Sequence, residues 1–320
     1  MCVRLSLIIV IWCSVVQVSF AEEFTQASAA IQISSTVSDG KYSIPEIITI
    51  AKKNNIQIVI LADYDLARWE YGLWPLRNVI KKTREENSVF KYGIRRYLHE
   101  IENIQKTSPD LILIPGLESA PFYYWQGSPF NNSLTLKNWH KHILVMGLEK
   151  LEDYENLPII GNKQALRLPF KFKNIFALLW PGLILAIGLF CVRKRKFNYQ
   201  DSSGRCLGPF CKRWQLCGFF LMSIGLLFLA NSYPFCDFKF DQYKGNLGIM
   251  PYQNFIDYVK QHGGLTFWVH PEAENISKID GVSIETREHT HNLIQAHGYT
   301  GFAVFYEGYN KVGIPTGLWD

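Results

Sequence analysis

Two charge-free apolar runs, separated by a short basic link, constrain this chain more than any other feature. Ile175 to Val192 reads IFALLWPGLILAIGLFCV, and Leu216 to Phe235 reads LCGFFLMSIGLLFLANSYPF. Each approaches the ~20 residues that cross a bilayer as a helix. Neither has a polar face, which argues against a helix packed on a soluble core. Trp180-Pro181 and Tyr233-Pro234 are placed to kink or end these helices near the outer surface. The link from Arg193 to Arg213 carries Arg193, Lys194, Arg195, Lys196, Arg205, Lys212 and Arg213 against Asp201 alone, a net +6. A short loop of that charge stays in the cytoplasm. The whole chain is only +5, so the remainder is near neutral. The positive balance therefore reports topology and retention at the inner leaflet, and no nucleic-acid partner is expected. A transporter or channel is disfavoured, because the uncharged spans offer no polar site at the midplane.

The N-terminus agrees with this orientation. Met1 to Ala21 has one early Arg4, an apolar run from Leu5 to Val16, and Ser19-Phe20-Ala21 before Glu22-Glu23. Small residues at −3 and −1 fit a signal peptidase site, with an uncleaved anchor as the alternative. Either way Glu22 onward is exported. The expected order is a signal peptide (1–21), an exported segment (22–174), a span (175–192), a basic loop (193–215), a second span (216–235) and a returning exported segment (236–320). The chain thus reads as a bacterial inner-membrane protein with both soluble segments on the periplasmic side. They share one compartment and can form one domain interrupted by a membrane hairpin.

Cysteines add little. Residues 22–174 contain none, and Cys206, Cys211 and Cys217 lack the spacing of a zinc site. Asn131-Asn132-Ser133 and Asn275-Ile276-Ser277 are sequons of a kind that arises often by chance.

The soluble segments alternate strand and helix signals. Ile31 to Ser34 reads as a strand, and Ile44 to Asn54 as a helix capped by Ser43. Ile56 to Ala62 is a buried strand by its β-branched content. A charged helical region is expected from Leu76 to Thr107, then strands at Leu111 to Pro115 and Ile143 to Met146. The returning segment predicts a helix over Tyr252 to His262 and strands at Leu265 to Val269 and Gly281 to Glu285. A helix over Glu288 to His297 and a strand from Phe302 to Phe305 complete it. This rhythm implies an α/β domain of parallel strands. Asp39, Asp63, Glu118, His142 and His270 fall at or beside predicted strand ends, where barrels of parallel strands build their sites. His142 opens its strand, so it must reach in from a different angle.

These positions resemble the PHP family, named for polymerase and histidinol phosphatase, over about residues 30–150 and 247–320. Ser38-Asp39-Gly40 keeps the family's first turn, but Gln32 and Ser34 stand where its leading His-x-His would be. Ala62-Asp63-Tyr64-Asp65 stands for Thr-Asp-His, so Tyr64 replaces a ligand. Gly116-Leu117-Glu118, His142 before its apolar strand, and His270-Pro271 match later motifs. The resemblance implies a distorted seven-stranded β/α barrel that hydrolyses phosphoesters with up to three divalent metals. Here it implies two gutted metal sites and one surviving set, Glu118, His142 and His270. Asp39 and Asp63 remain as additional site candidates.

The family's closing Asp-x-His is absent, and the sequence ends at Trp319-Asp320. The barrel is therefore expected to lack its last strand, as a fragment, a frameshifted copy or a chain completed by a partner. Two imidazoles and a carboxylate leave a position open, the pattern of a catalytic zinc. The resemblance thus leads to a binding or scaffolding pseudoenzyme holding at most one divalent metal, zinc or manganese. The alternative is a residual single-metal phosphoesterase acting on a phosphorylated small molecule or protein. Each residue also has a plain reading. His270 caps a strand end, Glu118 satisfies backbone donors, and His140 lies at the surface. His289 and His291 are solvated, because i and i+2 do not share a helix face. Phe122-Tyr123-Tyr124-Trp125 reads as packing before it reads as a substrate platform.

Overall fold

The computed structural model describes residues 26–172, 174–198, 202–203 and 209–303. The leader over 1–21, much of the basic link, the end of the strand expected to reach Phe305, and the C-terminal motif position lie outside the described residues.

The chain begins with β1 (Ala29–Ile33), α1 (Ile44–Lys53), β2 (Ile58–Leu61), β3 (Asp63–Tyr64), β4 (Arg68–Gly72) and β5 (Lys81–Glu85). Next come α2 (Val89–Tyr92), α3 (Ile94–Thr107), β6 (Ile112–Ile114), β7 (Gly116–Ser119), β8 (Tyr124–Gln126), β9 (Thr135–Lys137), β10 (Ile143–Met146) and α4 (Leu151–Glu155). Two long helices follow, α5 (Asn174–Asn198) and α6 (Pro209–Ser232). The chain then returns through α7 (Met250–Gln261), β11 (Leu265–Trp268), β12 (Asn275–Ile279), β13 (Val282–Thr286), α8 (His291–Gln295) and β14 (Gly301–Phe302).

Local chemistry sets several of these elements. Ser43 opens α1, and its backbone N–H donates to the Glu46 carboxylate at 2.8 Å, the reciprocal half of a capping box. Ile44, Ile47, Ile48 and Ala51 then form one buried stripe at helical spacing. The helical region expected from Leu76 to Thr107 holds two helices over its second half, but its first half contains a strand. Its charged start is β5, paired antiparallel with β4. The charges are matched around that hairpin: Lys81 Nζ lies 3.0 Å from Glu70 and Arg68 lies 3.9 Å from Glu85. Lys163 also reaches Glu70. Cross-strand pairing of this kind overrides helix propensity.

The strands form sheets of order β1-β2-β6, β14-β11-β10-β7-β3, β12-β13-β9-β8 and β4-β5. The expected parallel order holds in β1-β2-β6. It fails at β10, which runs antiparallel to both β7 and β11. The described residues therefore form a mixed α/β fold with no closed barrel, correcting the seven-stranded parallel reading. The reason lies between β7 and β10. A parallel return needs a crossover of a dozen or more residues, usually a helix. That stretch is instead occupied by the β8–β9 hairpin. At the opposite edge, β6 gives way to β7 across Pro115, which has no N–H to donate. A Cβ on Gly116 would come within 2.2 Å of the Leu61 carbonyl oxygen, so the start of β7 presses directly on the end of β2.

Val59, Leu61, Leu117, Ile143, Val145 and Trp268 meet the face of α7 carrying Tyr252, Phe255 and Ile256 in one buried core. The helices α5 and α6 are long and apolar enough to cross a membrane, with mean hydropathy 2.5 and 1.6 over their most apolar windows. They approach closely where side chains vanish. A Cβ on Gly188 would meet the Gly218 carbonyl at 2.8 Å, and one on Gly218 the Gly188 carbonyl at 2.9 Å, the small-residue contact expected of helices in lipid. Helix α5 continues through Pro181, whereas α6 ends just before Tyr233-Pro234. The sheet-bearing part is fastened to the C-terminal end of α6. Asn78 donates from its backbone to Asn231 Oδ1 at 2.9 Å and from its side chain to the Asn231 carbonyl at 2.7 Å.

Candidate metal centre

The antiparallel β10 resolves how His142 reaches the site. In the register, Ile143 faces Ser119 on one side and Trp268 on the other. The start of β10 therefore lies at the same sheet edge as the ends of β7 and β11. Glu118 comes from β7, His142 precedes β10, and His270 follows β11 in a left-handed backbone conformation (φ 36°). The Val269 N–H donates to the His142 carbonyl at 3.2 Å and ties the two histidine-bearing stretches together.

One ligand atom from each of Glu118, His142 and His270 can be chosen so that all lie within 4.8 Å of one another. Glu118 Oε1 contacts His142 Nδ1 and lies 3.7 Å from His270 Nε2. The imidazole rings stand 5.4 Å apart, edge to face. Burial alone would raise the Glu118 pKa, but His142 and His270 outweigh it and hold the carboxyl at about 2. An ionised carboxylate between two imidazoles is a donor set for zinc or manganese. The residues fit a single divalent ion.

The residues at the positions where the resemblance expects ligands make other contacts. Gln32 has φ 62°, and its Nε2 donates to Glu118 Oε2 at 3.3 Å, engaging the carboxylate's second oxygen. Tyr64 sets its ring edge-on to His142 at 5.4 Å. Ser34 Oγ donates to the Ala62 carbonyl at 3.5 Å. Asp39 is exposed at the rim. Gln32, Ser34, Asp39 and Tyr64 line a cleft of about 260 Å³ together with the three donors.

Asp63 does not join them. It is fully buried and accepts from Ser35 N at 2.8 Å, Ser35 Oγ at 2.9 Å, Ser38 Oγ at 2.7 Å and Tyr97 Oη at 3.2 Å. These bonds pin the turn carrying Asp39 to the end of β2. Asp63→Asn is expected to cost about 2 kcal/mol, because donors aimed at a carboxylate would meet an amide. Metal stoichiometry should stay unchanged. Thermal unfolding and metal analysis on the same sample check both, and a lost metal would make Asp63 part of the centre.

Several plain readings need correction. His289 is not solvated: it is only 3% exposed. Burial first, and then the Lys141 charge, push its pKa down to about 3. His291 is exposed as expected. His140 is half-buried rather than superficial, and burial with the neighbouring His142 and His270 pushes it down to about 4. Lys141 gave no sequence signal, yet it is buried between the two histidines. Phe122, Tyr123 and Trp125 are buried packing, with Trp125 Nε1 donating to the Glu70 carbonyl at 2.9 Å.

No protein-family profile and no curated protein matches this chain. Among solved structures, a protein of Bifidobacterium adolescentis, only provisionally assigned as a metal-dependent phosphoesterase, is similar at 14% identity and a TM-score of 0.36. That alignment covers 92% of this chain and 82% of the other. At that score the likeness carries no argument.

Proposed function

We propose that this chain is a membrane-held PHP-like domain that binds one zinc or manganese ion and acts as a binding or scaffolding module, its multi-metal centre lost. One observation carries the reading. Glu118, His142 and His270 converge, while Gln32 and Tyr64, at former ligand positions, turn to Glu118 and His142 instead. Glu118 supplies the fixed negative charge, the imidazoles supply neutral donors, and Gln32 orients the carboxylate. A metal held there would acidify a water or polarise a phosphoryl oxygen. Clamping both the attacking and leaving oxygens requires a second ion, for which no comparable set exists among the described residues. The inner-membrane placement with a periplasmic domain rests on the paired apolar helices and the +6 link. The partner would be a phosphorylated small molecule or a protein at the outer face.

The open cleft beside the three donors favours one second reading, a residual phosphoesterase. Hydrolysis of p-nitrophenyl phosphate and bis-p-nitrophenyl phosphate by the detergent-solubilised, metal-loaded protein separates the two. The expected result is no turnover above that of Glu118→Ala. Turnover present in the wild type and absent from the variant would establish the phosphoesterase instead.

A further inference from the structure

The wall that carries His142 has a second cleft on its far side, of about 510 Å³. The wall is built from residues 140–142 and 285–287, and successive side chains alternate across it, as extended backbone requires. His140, His142 and Thr286 line the metal-side cleft. Lys141, Glu285 and Arg287 line the other.

Two buried polar groups in that second cleft are incompletely satisfied. Lys141 is 5% exposed. Its Nζ donates to Asn292 Oδ1 and lies 4.2 Å from the Tyr252 ring centre. No carboxylate offsets its charge among the described residues. His289, 3% exposed, places Nδ1 3.2 Å from the Arg287 carbonyl, so Nδ1 carries the proton and Nε2 presents a lone pair. That Nε2 is buried with no hydrogen-bond partner among the described residues. A buried amine with no anion beside it, next to a buried acceptor without a donor, leaves hydrogen-bonding capacity that a ligand completes. The nearby acid Glu285 is already neutralised by Lys137 at 2.5 Å and Arg287 at 2.6 Å. Glu288, also in the lining, accepts from Thr290 at 2.9 Å.

We propose that this cleft binds a small molecule bearing an oxyanion with a hydroxyl on or beside it, a hydrogen phosphate group or a hydroxy acid. The oxyanion accepts from Lys141 Nζ, and the hydroxyl donates to His289 Nε2. The site is independent of the metal-centre reading, because it lies across the wall from Glu118.

Isothermal titration of the full-length chain in detergent, with a chelator present, tests this with inorganic phosphate and with lactate. Saturable binding of at least one probe is expected, and the one that binds identifies the class. Lys141→Met should weaken it about ten- to a hundred-fold, the loss of one charge-assisted hydrogen bond. His289→Phe should weaken it too, and it decides the matter if the lysine variant does not fold. Unchanged binding in folded variants would overturn the proposal. So would the absence of binding by folded wild type, or binding that disappears with the chelator.

Discussion

Purified wild-type protein, offered zinc or manganese and then desalted, is expected to retain about one ion per chain. His270→Ala and Glu118→Ala are expected to retain almost none. The reasoning is geometric. Three donors converge within 4.8 Å, and removing either leaves two, too few to complete the ordinary ligand set of a bound zinc. Gln32→Ala should leave the count near one, because Gln32 is not one of the three converging donors and bonds only the second oxygen of Glu118. Metal should also stabilise the folded wild type by roughly 3 kcal/mol at a free concentration one hundred times the dissociation constant. The variants should gain nothing comparable. Elemental mass spectrometry paired with thermal unfolding measures both. A folded wild type that holds no metal would reduce Glu118–His142–His270 to a buried ion-pair cluster. More than one ion per chain would show that a second ligand set survives despite Gln32, Ser34 and Tyr64.

Much of this arrangement is legible in the sequence, and the illegible part has physical causes. β10 falls where its continuous apolar run places it, and α1 follows its Ser43–Glu46 box. The convergence of Glu118, His142 and His270 is anticipated through motif order. Strand direction is not, because alternating apolar runs look alike parallel or antiparallel. Only the β8–β9 hairpin in place of a crossover helix decides it. The β4–β5 hairpin is hidden for another reason. Its Lys, Arg and Glu residues are helix formers locally, and their pairing across strands is a tertiary fact. Buried His289 and Lys141 escape because a short polar segment carries no periodicity to reveal burial.

Asp65→Asn is expected to stabilise the protein at alkaline pH. Asp65 is fully enclosed beside Glu118; its Oδ1 accepts from Leu66 N at 2.5 Å, and its Oδ2 has no hydrogen-bond partner among the described residues. Burial, reinforced by the Glu118 charge and only partly offset by Ser119 and the Leu66 N–H, raises its pKa from 3.8 to about 7. The folded state therefore holds a proton that the unfolded chain has released. A raised carboxyl pKa contributes fully below the unfolded value and loses that contribution as pH rises through the folded value. The Asp65 contribution to wild-type stability should thus fall between about pH 4 and pH 7, then level off. The whole displacement corresponds to roughly 4 kcal/mol. Asparagine keeps the shape and the acceptor for Leu66 without ever ionising. The variant should match wild type near pH 4 and melt several degrees higher near pH 8, measured with chelator present so that a bound cation does not mask the effect. A difference between the two proteins that stays flat across this range would mean that Asp65 is already ionised in the fold. It would then be a charged neighbour of the metal centre rather than a buried acid kept neutral by its surroundings.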